Sequence, residues 1–379
     1  MNSTVIVSRM LFALLITQGS LSLATSQRDF YERGVDLRAE GEWEQALKTW
    51  WEGYSTLRGE GSNDPRIAIA FVELSTEMKA EKYYGTACEM YFWNFSHENL
   101  NNYADVVEEE FVRISPFLDD KDYEHWWLKL ESGEISAVAK KVKQFWLERD
   151  PTPTTLANER FILHWLRIAQ ARINFTKNRK SVYGTDDRGL VYVAYGEPVR
   201  KSWGYLGSKY RDTNSYIVTG NELLDSNVGR GLLQQIRSSN HYPEYEIWVY
   251  QPTNSEDSVI FMFGKSQKTG IYETISGVED LISDFNFTNI EHLMLQIMYY
   301  EQLIEIDPFF KSRHGGLLQI ASEIAQREES RKEAMEKLQR TTEDFADLQR
   351  RSTARKPNSG EIKRRPRALD KEKERVIFH

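Results

Sequence analysis

The sequence predicts an α+β protein in which an amino-terminal helical-repeat array precedes a small antiparallel β-sheet flanked by helices, and a long helix leads into a basic, partly disordered tail. Three observations predict this order. Small and apolar residues recur at helical spacing in the first half, two apolar segments enclose a polar turn in the second half, and a heptad-like row lies near the carboxyl end. The 379 residues, 40% of them hydrophobic, suffice for two folded units with extensions.

The amino end has the pattern of a secretory signal peptide. Arg9 precedes the apolar run Met10–Ile16, and Ser22–Ala24 offers the small residues that a signal peptidase recognises. The apolar run is far shorter than the roughly 20 residues of a membrane span. We therefore predict export with cleavage near Ala24, to the periplasm or the extracellular space. The predicted division is a signal peptide at 1–24, a helical domain at 25–148, an α+β domain at 149–308, a long helix at 309–349 and a basic tail at 350–379.

The first half predicts paired helices. Small and apolar residues fall at helical intervals, which resembles the tetratricopeptide helix-turn-helix, and a weaker second copy follows beyond a glycine-rich loop at Arg58–Pro65. Three further helices are predicted at Asn102–Ile114, Asp120–Glu131 and Ile135–Trp146. Such arrays present surfaces to partners, so the pattern favours binding over chemistry. The residues of the first copy are Gly34, Leu37, Gly41, Trp43, Ala46, Trp50 and Gly53.

The only cysteine, Cys88, lies in this helical part of the chain. A single cysteine excludes an intramolecular disulfide in an exported protein. Its apolar neighbours favour an inert core residue over a nucleophile, because a reactive thiolate needs a cationic, partly exposed setting.

The centre of the chain combines a proline-stopped loop, a helix and a polar turn. The prolines of Asp150–Pro153 end the helical layer, and Thr154 or Thr155 is expected to cap the next helix. After that helix, Tyr183–Gly189 is rich in turn-forming residues, and Leu190–Tyr195 is predicted to be a strand with two apolar faces. The buried face of the helix is predicted to hold Ile162, Trp165, Ala169 and Ile173.

Several short motifs lie along roughly Phe145 to Gly264. They are FWLERDPTPTTLANE from Phe145, then Arg167, Ala169, Ala171, Phe175, Asp187-Arg188-Gly189, Tyr195-Gly196-Glu197-Pro198 and Glu246-Ile247-Trp248-Val249-Tyr250. With these motifs the stretch resembles the bacterial GWxTD-domain proteins. The resemblance implies an exported bacterial protein, often one with helical repeats, and no established catalytic residues.

The sequence departs from the family at the turn that gives the family its name. Aligning on Asp187-Arg188-Gly189 puts Gly184 in the tryptophan position, whereas one inserted residue puts Tyr183 there instead.

Two strands downstream, Tyr245–Gln251 and Ser258–Phe263, are predicted to form an antiparallel hairpin, and Ile271–Ile275 is a candidate fourth strand of the sheet. Between the centre and the hairpin, Lys201–His241 is polar and glycine-rich, which predicts a long loop with a short helix near Leu232–Ile236. A further helix is predicted at Asn289–Ile306.

The carboxyl end predicts a long helix and a basic tail. The heptad positions from Leu317 to Leu348 are apolar apart from two arginines and a threonine. This pattern fits a weak coiled coil and a long solvated helix equally well. Residues 350–379 hold eleven Lys/Arg and four Asp/Glu, a net charge of +7. Because the whole chain has a net charge of −8, the remaining residues carry −15. Nucleic acid is not an expected partner of an exported protein, whereas anionic lipid or an acidic polymer could contact such a tail.

No sequence signature of an enzyme, metal site or cofactor site is present. The seven histidines are scattered, and neither a zinc motif, a phosphate loop nor a nucleophile elbow occurs. The sequence therefore favours an exported, non-enzymatic interaction or scaffold protein of the cell envelope, whose partner is another envelope or secreted protein. Candidate binding residues around the central motif are Tyr183, Arg188, Tyr195 and Trp248.

A hydrolase acting on glycan or peptide is the alternative function. It would use Asp186, Asp187 and Glu197 as an acid/base cluster, with His241 or Glu244 brought near by the sheet. The competing interpretation is structural, because aspartates in turns bond their own backbone and an Asp-Arg pair can hold a turn together.

Overall fold

A computed structural model describes residues 30–211, 225–251, 258–282 and 287–326. The predicted signal peptide, the basic tail and the heptad positions beyond 326 lie outside the described residues. The described chain forms two compact units that divide after Asn174. None of its helices combines the length and the apolar character needed to cross a membrane.

The first unit is the predicted helical array. Small residues do let the helices approach, because a Cβ on Gly34 would lie 2.0 Å from Trp50 Nε1. Trp50 Nε1 in turn donates to the carbonyl oxygen of Tyr31 at 3.2 Å, which joins the first two helices. The three later helices are confirmed within two residues. The helices are α1 (30–39), α2 (Trp43–Gly59), α3 (Pro65–Glu77), α4 (Tyr84–Asn94), α5 (Ala104–Ile114), α6 (Asp120–Glu131), α7 (Ile135–Leu147) and α8 (Glu159–Asn174).

Helix α8 belongs to this helical unit, because it packs on α3 and α4. The predicted domain boundary at 148 was therefore too early. The predicted cap was also wrong, since Asn158 Oδ1 accepts from the backbone N–H of Phe161 at 2.8 Å and starts the helix at Glu159. Of the predicted buried face, Ile162 and Trp165 are buried whereas Ile173 is 76% exposed.

A charged network is buried inside the helical unit. Arg113 Nε donates to Glu110 Oε1 at 2.8 Å, and Glu110 Oε2 accepts from the Tyr91 hydroxyl at 2.7 Å. The Arg113 guanidinium carbon lies 4.6 Å from the centre of the Trp165 ring. The network thereby ties α4 and α5 to α8. Cys88 is buried nearby on α4, and burial raises the pKa of its thiol to about 12, as expected for an inert core residue.

The second unit holds a four-stranded antiparallel sheet in the order β1-β2-β3-β4. The predicted hairpin and the strand after it are confirmed as β2, β3 and β4. The strands are β1 (Arg200–Tyr205), β2 (Glu244–Tyr250), β3 (Val259–Lys265) and β4 (Tyr272–Ile275), and the helices are α9 (Asp187–Tyr195), α10 (Asn227–Ser239), α11 (Asn289–Ile304) and α12 (Phe309–Gln326).

Alternation along β2 gives the sheet two different faces. Tyr245, Ile247 and Val249 join an apolar cluster with residues of α10 and α11. The intervening residues of β2, which include Glu246 and Trp248, point to the other face, where the α9 side chains pack. The apolar face supplies the core, and the mixed face holds the charged residues of the candidate site.

Two predictions for this unit were wrong. Leu190–Tyr195 is helical within α9 rather than a strand, because the Asp186 side chain caps the backbone N–H of Arg188 and starts a helix there. The predicted loop at Lys201–His241 begins with strand β1 and contains α10, which is longer than the predicted short helix.

The helices beyond the sheet follow the sequence pattern more closely. The predicted helix Asn289–Ile306 is confirmed as α11, whose first turn is closed by a capping box between Thr288 and Glu291. In α12 the heptad residues Leu317, Ile320 and Ile324 pack against α11. The described part of the heptad seam is therefore covered within the same chain.

A candidate site around Arg188

The turn before α9 is fixed by its own backbone and by one glycine. The N–H of Asp186 donates to the carbonyl oxygen of Thr176 at 2.8 Å, which closes the turn, and Asp186 is fully buried. A Cβ on Gly189 would lie 1.9 Å from Thr185 Oγ1, so only glycine fits at that position. The turn thereby directs the side chain of Arg188, which precedes Gly189, to the mixed face of the sheet.

Arg188 is the centre of the site. Its Nη2 donates to Asp186 Oδ2 at 2.7 Å, and its Nη1 donates to Glu246 Oε2 at 2.8 Å. The guanidinium carbon lies 3.7 Å from the centre of the Tyr272 ring. Although burial alone would lower the pKa of Arg188, the hydrogen bonds that it donates to its two carboxylate partners raise it. A permanently charged guanidinium therefore joins α9 to β2 and β4.

The two glutamates of β2 are also fully engaged. Glu246 Oε1 accepts from Trp248 Nε1 at 2.6 Å, and Glu244 Oε2 accepts from Lys265 Nζ at 2.8 Å. Glu244 Oε1 accepts from the Tyr272 hydroxyl. Burial would raise the pKa of Glu244, but the bonds from Lys265 and Tyr272 outweigh it and lower the pKa. Both glutamates thus accept hydrogen bonds at both carboxylate oxygens within a structural network.

Asp187 has a different role from Asp186. Its Oδ2 accepts from the backbone N–H of Thr274 at 2.8 Å, so the first turn of α9 covers the outer edge of β4. Burial raises the pKa of Asp187, and the bond from Thr274 opposes that shift. The perturbed pKa of Asp187 therefore has a structural cause in the packing of α9 on β4.

Of the predicted acid/base cluster, Glu244 lies near Arg188 through Tyr272, whereas Glu197 and His241 do not join the aspartates. Glu197 has a side chain that is 64% exposed and pairs with Lys201 at 2.7 Å. His241 is buried, and its ring lies 6.3 Å from Phe287, which belongs to the apolar cluster on the opposite face of the sheet. Asp186 and Asp187 are bonded as described above. Among the described residues, the arrangement therefore brings no imidazole to the two aspartates.

The predicted binding residues lie mainly in the core. Tyr183, Tyr195 and Trp248 are 1%, 4% and 0% exposed. The Tyr195 ring packs 5.3 Å from Tyr250, and Arg188 is engaged by its carboxylates. In this structure these aromatic residues stabilise the unit and offer little surface to a partner.

Sequence reasoning missed the surface aromatic residues of β1. Trp203 is 72% exposed and Tyr205 is 46% exposed. Both side chains lie on the same face as Glu244 and Glu246, their partners in the register of β1 with β2. The available signal was the alternation in Lys201–Tyr205, which the glycine and the polar residues of that segment obscured.

Within the described ranges, no group of three or more His, Cys, Asp and Glu side chains could hold a metal ion. Comparison of the chain with protein-family models, with curated proteins and with solved structures gave no match, so the resemblance to the GWxTD-domain proteins stays a prediction.

Proposed function

We propose that this protein is an exported, non-enzymatic interaction protein of the bacterial cell envelope, which holds another envelope or secreted protein. The observation that carries the proposal is the state of the central carboxylates. Asp186 and Glu246 are bonded to Arg188, and Asp187 is bonded to β4. Each fastens secondary structure elements together, which supports a structural role over a role as acid or base.

The helical unit supplies a surface that suits a protein partner. Trp51 is 38% exposed, and its ring centre lies 5.4 Å from that of Tyr54. Trp93 continues the row, 5.3 Å from Tyr54, and the Arg58 guanidinium lies over both Tyr54 and Trp93. Tryptophan, tyrosine and arginine are the residues enriched at the centres of protein interfaces. Tyr54 itself is 2% exposed and supports the row from below. We assign the outer residues of the row, Trp51 and Arg58 on α2 and Trp93 on α4, as the partner surface.

Export and attachment to the envelope belong to the same proposal. The signal-like pattern of residues 1–24 and the resemblance to exported bacterial proteins support export. The charge of +7 on residues 350–379 supports a second contact, between the tail and an anionic lipid or acidic polymer. Neither contact requires a catalytic group.

Crosslinking in intact bacterial cells followed by purification of the tagged full chain tests the partner surface. We expect one envelope or secreted protein to be recovered with the parent chain and lost with Trp51→Ala. Leu128→Ala is the matched control, because Leu128 is a 62% exposed apolar residue on α6, away from the aromatic row. Equal recovery with all three chains contradicts the assigned surface.

Two further measurements separate the remaining possibilities. Deletion of residues 350–379 should lower the fraction of protein that sediments with anionic vesicles, and an unchanged fraction eliminates the tail contact. A screen of glycan and peptide hydrolysis should give no turnover. Turnover that disappears in Asp187→Asn overturns the proposal in favour of an exported hydrolase.

A further inference from the structure

The two edge strands of the sheet, β4 and β1, differ in how far other parts of the described chain cover them. At β4, the outward N–H of Thr274 is bonded by Asp187, and α9 packs along that edge. At β1, in the described part of the chain, the one side-chain hydrogen bond to the strand backbone joins Gln302 Nε2 to the carbonyl oxygen of Tyr205 at 3.1 Å. An uncovered edge presents a row of peptide groups to another strand.

The direction of the outward peptide groups follows from one hydrogen bond, and among these groups the Tyr205 carbonyl oxygen already accepts from Gln302 Nε2. Leu206 N–H donates to the carbonyl oxygen of Pro243 at 2.9 Å, which points Leu206 toward β2. Peptide groups alternate along an antiparallel strand, so those of Lys201, Trp203 and Tyr205 point away from β2. The side chains of the same three residues share one face of the sheet, where Trp203 and Tyr205 are exposed.

These three residues are complementary to themselves in one register. If a second copy of β1 runs antiparallel and pairs Trp203 with Trp203, then Lys201 of each copy lies opposite Tyr205 of the other. Aromatic pairs and a cation beside an aromatic ring are both favourable neighbours across strands. A register centred on Lys201 would place the two lysines, which carry like charges, opposite each other. In the other registers, at least one of the three residues does not lie opposite any of these three residues in the second copy.

We infer that β1 is a self-association edge, through which two copies of this chain pair antiparallel about a two-fold axis at Trp203 and extend the four-stranded sheets into one of eight strands. This inference goes beyond the proposed function and does not depend on which partner the helical unit holds. The edge is a six-residue strand, so the contact is small and the dimer is expected to be weak and dependent on concentration.

Sedimentation velocity on the full chain over a range of concentrations tests the inference. We expect a reversible monomer–dimer equilibrium that Trp203→Ala weakens by up to about fivefold, because the mutation removes the central aromatic pair. Val199→Ala is the matched control, since Val199 is 73% exposed but precedes the strand. Trp203 is exposed, so circular dichroism and thermal unfolding of the variant should match the parent.

Disulfide crosslinking tests the register itself. Paired residues in an antiparallel ladder have Cα atoms within disulfide range, and the only native cysteine is buried. Lys201→Cys and Tyr205→Cys chains should therefore crosslink when mixed and not when each is oxidised alone. A chain that stays monomeric at every concentration, a dimer that Trp203→Ala leaves intact, or no crosslink in the mixture overturns the inference. A monomer whose Trp203→Ala variant loses a foreign partner shows that the edge takes an unrelated strand instead.

Discussion

The helical unit and the sheet unit each bury one arginine among carboxylates and aromatic rings, but they do so over different distances in sequence. In the helical unit, Arg113 pairs with Glu110 three residues earlier on the same helix. In the sheet unit, Arg188 joins Asp186 to Glu246, which lies 58 residues further along the chain. Asp186 and Glu246 thus pair with a buried arginine in the same way as Glu110, which lies outside the central motif. This similarity supports a structural role for the carboxylates around Arg188.

Arg188 neutralises two carboxylates and Arg113 only one, so loss of the arginine should destabilise the sheet unit more than the helical unit. Replacing Arg188 by methionine leaves two buried carboxylates, Asp186 and Glu246, without their cation. We expect Arg188→Met to lower the free energy of unfolding of the sheet unit by about 3–5 kcal/mol. Hydrogen exchange measured on peptides of β2 and of α3 assigns the loss to one unit.

A compensated variant is the control for Arg188→Met. Adding Asp186→Asn and Glu246→Gln removes both stranded charges, so part of the stability should return. The defect of the single variant should also shrink as the pH falls, because protonation neutralises the stranded carboxylates. Unchanged exchange in β2 would show that Arg188 is not structural.

The corresponding substitution in the helical unit, Arg113→Met, should cause a smaller loss of stability, and only in that unit. Arg113→Met strands one carboxylate, Glu110, which is still bonded by the Tyr91 hydroxyl. We expect a loss of about 3 kcal/mol, confined to exchange in the helical unit and largely reversed by Glu110→Gln. A loss that spreads equally to peptides of β2 contradicts the division of the chain into two separately stabilised units.

The same comparison explains how much of the fold could be predicted from the sequence. The helical unit has long helices with one buried face, so spacing alone located α5, α6 and α7. Helix α9 has nine residues and is buried on several sides, so its apolar run has no clear period and was mistaken for a strand. Strand β1 is an exposed edge with a glycine and two basic residues, a composition that is typical of loops.

The candidate site divides in the same way. The local part, an Asp186–Arg188 pair that ties off a turn, was one of the two interpretations that the sequence offered. Glu246 and Tyr272 come to Arg188 from strands far along the chain, and no local pattern marks them as its partners. Because period and turn chemistry act over a few residues, they cannot report a contact that the tertiary fold creates.

Asp187 should give a smaller effect that depends on pH. A carboxyl whose pKa is raised in the folded state contributes stability at acid pH and loses it as the pH rises through that pKa. Asparagine can still accept the bond from Thr274 without carrying charge. We expect Asp187→Asn to stabilise the sheet unit by about 1 kcal/mol or less at pH 7, and the gain to fade toward pH 4. Thermal unfolding at both pH values measures it, and a loss of stability at pH 7 contradicts this account.

The smallest effect is expected at Glu197, which separates the structural and catalytic interpretations most cleanly. Its side chain is exposed and its ion pair with Lys201 lies in solvent, where such pairs contribute little. Glu197→Gln should therefore change the free energy of unfolding by less than about 0.5 kcal/mol. An acid or base of a hydrolase would instead lose turnover while stability stayed constant. Stability and hydrolysis measured on the same Glu197→Gln preparation thus decide whether this residue belongs to a reacting group or to an ordinary solvated surface.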